Sequence, residues 1–192
     1  MEREVMLTGI GGQGVQLAAQ VLARAAGHDG RQAMLFGVYG GMMRGGNSDS
    51  TVVVADDEVT APPLLSRCWS VIALHHRYWP PLAGKLDPGG LLVINPPVFD
   101  AEVEVQYGAV IEVRASEIAA DMDFPMGASM VMTGAYAAIT GLVSLDACIA
   151  AVEESLPPYR RQHLPRNVEA LQAGFDNTPR LTAPAWDVPV PA

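Results

Sequence analysis

Cysteine is scarce: Cys68 and Cys148 are the only two in 192 residues. Two thiols fall short of the roughly four thiolates that an iron–sulfur cluster takes. They form no spaced pair for zinc either, so no metal site is expected. Both read as buried small apolar residues in a reducing compartment. Charge is scarce as well, at 17% of residues, which is low for the surface of a small free-standing protein. Its basic part is the smaller one: 12 Lys and Arg against 21 Asp and Glu leave a net charge of -9. Nucleic-acid binders need a basic face to displace counterions. The nearest thing here is Arg160-Arg161 with Arg166, which reads as a solvated face. From Phe124 to Leu145 no charged residue occurs at all, a length that raises the membrane question. The stretch is interrupted by Gly127, Ser129, Thr133, Gly134, Tyr136, Thr140, Gly141 and Ser144, and no basic residues flank it closely. A helix buried in protein is the reading. Glu2, Arg3 and Glu4 leave no room for a secretory signal at the start, so the expected location is the cytoplasm.

Apolar residues, by contrast, make up 49% of the chain, and mean hydropathy is +0.19. That suffices for one large core, with some apolar surface left for other chains to cover. Residues 4–9 read as a short buried strand, followed by a glycine turn. Val15 to Ala26 is a run of strong helix formers. Arg31 to Phe36 gives a second strand, and such strand–helix–strand crossovers produce parallel sheets. Ser50 to Ala55 is β-rich, with Glu58 to Thr60 expected to pair back as a hairpin. Trp69 to Leu74 and Leu91 to Asn95 are continuous apolar runs, the mark of strands covered on both faces. His76 to Leu86 between them reads as helical, and Ala109 to Val113 as a further strand. Helices are then expected at Ser116 to Asp121, Ala128 to Leu142, from an N-cap at Ser144 to about Ser155, and from Arg160 to a closing Gly174. Thr178 to Ala192 holds four prolines and no periodicity. It is expected to be an extended tail that orders only against something else. The fold class is therefore α/β: a single Rossmann-like, three-layer domain over residues 1–177 with a mainly parallel sheet and a helical C-terminal part, plus the tail at 178–192.

Gly9, Gly11 and Gly14 match G-x-G-x-x-G between a strand and a helix, the context that the motif requires. Glycines let the chain turn tightly and bring backbone close to a ligand. Helix N-terminal amides and the helix dipole then favour an anion. A tight turn with nothing bound is the alternative. A nicotinamide site would also want an acid at the end of the second strand, to hold the ribose. That strand ends Met34-Leu35-Phe36-Gly37, with no acid. Arg44 sits among glycines ahead of Asn47 and Ser48, and suits a phosphate or carboxylate. His75-His76 on a strand would point to opposite faces and share no metal. Glu102 and Glu104 alternate as on a strand face, but nothing identifies a substrate for them. No nucleophile–base pair appears, so no catalytic residue is assigned.

The string Gly9-Ile10-Gly11-Gly12-Gln13-Gly14-Val15, with Tyr39-Gly40 and then Arg44-Gly45-Gly46, resembles the gamma subunit of the 2-oxoacid:ferredoxin oxidoreductases. That group includes the pyruvate, 2-oxoglutarate, 2-oxoisovalerate and indolepyruvate enzymes. The resemblance continues at Met130-Val131, Gly134-Ala135, Asn167, Ala170 and Gly174, and so covers roughly residues 4–175. It departs at Ser129 and Thr133, where the family often has Asn and Leu. The resemblance implies a non-catalytic subunit of a complex that decarboxylates a 2-oxoacid and passes the acyl group to coenzyme A. Thiamine diphosphate, Mg and iron–sulfur clusters are implied in partner chains: thiamine-binding alpha and beta type subunits and an iron–sulfur electron-transfer subunit. For this chain it implies coenzyme A as bound substrate. Gly9, Gly11, Gly12, Gln13, Gly14, Arg44, Gly45, Gly46 and Asn47 are the residues that would help hold it. The rival readings are a self-sufficient dinucleotide-binding oxidoreductase and a structural scaffold with an empty glycine turn. No membrane partner and no nucleic acid are expected.

Overall fold

A computed structural model describes residues 1–39, 45–62, 64–100 and 108–186. Arg44, Glu102 and Glu104 lie outside the described residues. Six strands form one sheet in the order β2-β3-β1-β4-β5-β6: β1 Glu2–Ile10, β2 Gln32–Tyr39, β3 Asn47–Ala55, β4 Cys68–Ala73, β5 Leu86–Ile94 and β6 Ala109–Glu112. The pairs β1–β4, β4–β5 and β5–β6 are parallel, whereas β3 runs antiparallel to both β1 and β2. Five strands therefore share a direction, and β3 alone is reversed.

The crossover helix α1, Val15–His28, links two parallel strands as expected, but β1 and β2 are not neighbours. β3 folds back from β2 and inserts between them, pairing Glu2 with Ala55 through to Ile10 with Asn47. With both edges of β3 occupied, no edge remains for a returning strand. Glu58 to Thr60 accordingly forms none, and instead Thr60 donates from N and, at 3.0 Å, from Oγ1 to Glu2 Oε1.

Side chains alternate between two cores, as pleated strands require. Val5, Leu7, Ile72, Leu91 and Val93 face α1 and three later helices. These are α4 Ala128–Thr140, α5 Leu145–Ser155 and α6 Leu164–Asp176. Met6, Val53, Val71, Leu92 and Ile94 face the other way, toward the one-turn helix α2, Pro80–Ala83, and the segment around Leu65. The helix expected over His76 to Leu86 is only a 3-10 turn, His76–Tyr78, followed by α2. Pro80 and Pro81 have no N–H to propagate a longer one. Likewise Pro165 resets the last helix: a 3-10 turn, Pro158–His163, gives way to α6, with proline in its first turn.

The uncharged stretch is α4, buried along almost its whole length. Among the described residues no helix is long and apolar enough to cross a membrane. Its Tyr136 hydroxyl meets Ser70 Oγ of β4 at 2.7 Å, so even the polar tip is satisfied inside the core. Ser144 caps α5, accepting from Ala147 N at 3.2 Å, while its own N and Oγ donate to Asp29 at 2.6 and 2.7 Å.

Residues 178–186 pack on the chain itself. A helix leaves its last four carbonyls without intrahelical partners. In α4, Ala137 O accepts from Gly141 N, Ala138 O from Leu181 N, Ile139 O from Ala183 N, and Thr140 O from Ala185 N, at 2.7–3.1 Å. Trp186 Nε1 donates to Leu142 O at 3.1 Å, and the Arg31 guanidinium lies 4.5 Å from the Trp186 ring centroid. The alternation explains the composition: Leu181, Ala183 and Ala185 donate, and Pro184 sits where no donor is needed. Ending the chain after Pro179 removes the Leu181, Ala183 and Ala185 backbone bonds and the Trp186 bond. At about 0.5–1.5 kcal/mol each, their loss is expected to cost about 2–6 kcal/mol. The check is a urea titration; an unchanged midpoint would mean that the tail stabilises nothing.

Both cysteines are buried, and burial pushes each thiol up to about 12. At about pH 8 only some one in ten thousand of such thiols is ionised, and the thiolate is the reactive form. Neither should react with a soluble disulfide reagent until the chain is unfolded in denaturant. A rapid reaction of either under native conditions would contradict this burial.

Candidate functional site

The carboxyl ends of β1, β4, β5 and β6 open onto one crevice. Chain leaving β1 crosses to β2 on one side, and chain leaving β4 proceeds to β5 on the other. The boundary between β1 and β4 is thus the point where sheet order reverses, the usual ligand position in open α/β sheets. The glycine turn lies there.

Its residues divide by role. The Gln13 side chain folds back over the turn: Oε1 accepts from Ile10 N at 2.7 Å and Nε2 donates to Leu74 O at 3.3 Å. Any Cβ on Gly9 would lie 2.8 Å from that Oε1. Gly9 and Gln13 therefore brace the turn against β4, and Gln13 also lines the crevice. The Gly11 amide is also committed, donating to Gly46 O at 2.8 Å. This bond pins the 45–46 segment to the turn. Asn47 donates from Nδ2 to Asp49 Oδ2 at 2.7 Å, and Thr8 Oγ1 holds the other Asp49 oxygen at 2.7 Å. Gly12 and Gly14 are left at the cleft. Gly14 is the N-cap of α1 with φ +85°, and a side chain there would collide with Ser129 Oγ in the first turn of α4.

The N-termini of α1 and α4 therefore converge on one contact. Neither helix has an acid in its first turn, so their unpaired amides and dipoles act unopposed. Between them is a cleft of about 290 Å³, lined by Gly12, Leu74, Asn95, Ser116, Met126 and Ser129 among others. Asn95 is buried; its Nδ2 donates to Ser116 Oγ at 2.6 Å and its Oδ1 accepts from Ser116 N at 3.2 Å. Among the described residues the lining carries no charged side chain. It offers neutral donors to an anion and contains no nucleophile–base pair.

The histidines stand at the rim. His75 Nδ1 accepts from Arg77 N at 3.2 Å, and His76 Nδ1 lies 2.6 Å from Asp100 Oδ1. Burial, then the neighbouring His76, pulls the His75 pKa below the ordinary histidine value. The expectation of opposite faces fails, because both residues lie beyond the end of β4 and their rings sit 4.6 Å apart. Among the described residues no group of three His, Cys, Asp or Glu is arranged to hold a metal. A larger cavity, about 520 Å³, lies at the opposite end of the sheet under Leu181. Its two arginines are engaged, Arg31 on Trp186 and Arg180 on Phe175 and Asp176.

Residues 4–177 match the family described as pyruvate ferredoxin/flavodoxin oxidoreductase. The chain belongs to that family. Among curated proteins it is similar to the 2-oxoglutarate synthase subunit KorC of Methanothermobacter thermautotrophicus, 34% identical across 91% of this chain and 94% of the relative. Among solved structures it resembles the gamma subunit of a keto/oxoacid ferredoxin oxidoreductase from Geobacter sulfurreducens. The TM-score there is 0.77 and the identity 29%, over 92% of this chain and 95% of that one. The fold also recurs inside a longer chain. A 2-oxoglutarate:ferredoxin oxidoreductase of Magnetococcus marinus, with 2-oxoglutarate, coenzyme A and succinyl-CoA bound, contains it with a TM-score of 0.82 at 18% identity, over 100% of this chain and 33% of that one. The same fold thus occurs both in the separate Geobacter gamma subunit and inside a longer polypeptide. The chain is a subunit-type member of 2-oxoacid:ferredoxin oxidoreductase complexes.

Sequence reasoning found the glycine turn but missed Asn95, Ser116 and Met126 as lining residues. Asn95 had a signal: it follows directly on the apolar run of β5, at a strand's carboxyl end, where open α/β sheets generally bind ligands. Ser129, where the sequence departs from the resemblance, is the residue wedged against Gly14.

Proposed function

We propose that this chain is a non-catalytic subunit of a thiamine-diphosphate-dependent 2-oxoacid oxidoreductase and helps bind coenzyme A through its phosphates. The observation that carries the reading is the meeting of the α1 and α4 N-termini at Gly14 and Ser129, free of first-turn acids. Such a junction suits a diphosphate. Among the described residues the cleft's lining is neutral and holds no nucleophile–base pair, which supports placing thiamine diphosphate, Mg and the iron–sulfur clusters in partner alpha, beta and electron-transfer subunits. Exposed Leu35 and Phe36 on the edge strand β2, and Val110 on β6, supply apolar surface for such partners. The choice of 2-oxoacid belongs in this reading to the thiamine-binding chains. The self-sufficient dinucleotide reading loses ground for a topological reason. The neighbour of β1 on the α1 side is β3, running the wrong way, so no parallel strand ends beside the turn with a ribose-binding acid.

The test is kinetic, on the assembled complex purified without oxygen. Arg44, two residues before Gly46 in the sequence, is proposed to pair with a ligand phosphate. A charge-assisted bond contributes roughly 1.5–3 kcal/mol, about ten- to a hundred-fold in affinity. Arg44→Ala should raise the KM for coenzyme A by that factor and leave the 2-oxoacid KM and cluster reduction without coenzyme A unmoved. Loss of decarboxylation with unchanged coenzyme A affinity would overturn the assignment. Absence of any coenzyme A dependence on this subunit would favour the scaffold reading.

A further inference from the structure

The cleft supplies neutral donors for a diphosphate, yet the ligand proposed above also carries a phosphate monoester, at the ribose 3′ position. The turn that follows β4 has the chemistry for it. Leu74 is fastened beside the glycine turn twice: its N donates to Thr8 O at 2.9 Å and its O accepts from Gln13 Nε2 at 3.3 Å. The chain therefore leaves the sheet against the turn, and the next four residues are His75-His76-Arg77-Tyr78. In a chain with only 12 Lys and Arg, an arginine directly after two histidines at a strand's carboxyl end is a local concentration of hydrogen-bond donors.

The turn is held on both sides. His76 is tied to Asp100, and Trp79 behind it is buried in the smaller core. Tyr78 reaches forward, its hydroxyl donating to Gly45 O at 3.4 Å, and Gly46 O accepts from Gly11 N at 2.8 Å. A continuous path of contacts thus runs from Gly11 through Gly46 and Gly45 to Tyr78. Arg77 abuts the end of this path, its guanidinium 5.6 Å from the Tyr78 ring centroid. Among the described residues no carboxylate pairs with it.

We infer that Arg77, backed by Tyr78 and with His75 beside it, forms a second anion subsite that recognises a phosphate monoester, separate from the diphosphate position at the helix N-termini. The inference rests on the coenzyme A reading. A guanidinium stacked on an aromatic ring keeps its in-plane N–H fork free for phosphate, and the ring fixes where that fork stands. Arg77 is a specificity-determining residue in this account and takes no part in the chemistry.

The experiment compares coenzyme A with dephospho-coenzyme A, which lacks only the monoester, by calorimetric titration of the assembled complex. The intact complex should bind coenzyme A about ten-fold or more tightly than the dephospho form, as loss of one charge-assisted contact implies. Arg77→Gln should bring coenzyme A down to the dephospho level and leave dephospho-coenzyme A unchanged. Arg77→Lys should keep part of the preference. Equal affinity of the intact complex for both ligands, or an equal loss on both in Arg77→Gln, would overturn the inference while the coenzyme A reading stands. Failure of the intact complex to bind either ligand would overturn both.

Discussion

Gly134→Val is expected to leave no folded chain. Helix α4 crosses α6 backbone to backbone at two reciprocal points. A Cβ on Gly134 would overlap the Leu171 carbonyl, and a Cβ on Gly174 would overlap the Val131 carbonyl. Neither obstacle is a flexible side chain that can rotate away, so the helices must separate. Separation loosens Met130, Val131, Ala170 and Leu171, all fully buried. Overpacking a well-filled core commonly costs about 1–3 kcal/mol. Here the intruding group meets backbone and takes the whole interface with it, so a loss beyond about 5 kcal/mol is expected, comparable with the entire stability of many domains. Circular dichroism and soluble yield provide the measurement. Gly27→Ala is the control, since its added methyl meets nothing within 4 Å and alanine favours helix. A Gly134→Val chain that melts like the parent would show the crossing to be looser than described.

The second large effect is on binding. Gly12→Val and Gly14→Val should both lose coenzyme A, by more than about a hundred-fold if the diphosphate contacts are removed together, but they should differ in stability. Gly12 has open space around its missing side chain, although its φ is +106°. Strain of roughly 1–3 kcal/mol is the cost there, and the fold should survive it. At Gly14 a side chain meets Ser129 as well as a φ of +85°, so the variant should lose the α1–α4 junction and melt lower than Gly12→Val. Adding Ser129→Gly to Gly14→Ala should recover stability only in part, because the backbone strain stays. Normal coenzyme A saturation in Gly12→Val would remove the glycine turn from the site.

These contrasts mark what could be read from sequence. Periodicity and run length disclosed β1, β4, β5 and the buried nature of α4, because those signals are local. The Ser144 cap was legible for the same reason: a hydroxyl and the amide three residues on are neighbours in the chain. The insertion of β3 was not, since strand pairing across Glu2 and Ala55 has no local signature. Gly174 looked like a helix stop, yet α6 continues to Asp176. Its glycine answers to Val131 of another helix, a partner that spacing does not reveal. The site was half legible. A glycine string announces itself, but Asn95, Ser116 and Ser129 become neighbours only because parallel strands end at one edge of the sheet.

The strap over α4 bears on how the chain comes off the ribosome. Leu181, Ala183 and Ala185 close three carbonyls of a helix that sits in the middle of the larger core. They are synthesised after every strand and helix described here. While they remain in the exit tunnel, the end of α4 has no partner except water, and Leu142 O waits for Trp186. The carboxyl end of α4 is thus completed only after residues 181–186 have been made. A nascent chain therefore cannot close this end of the larger core before those residues emerge.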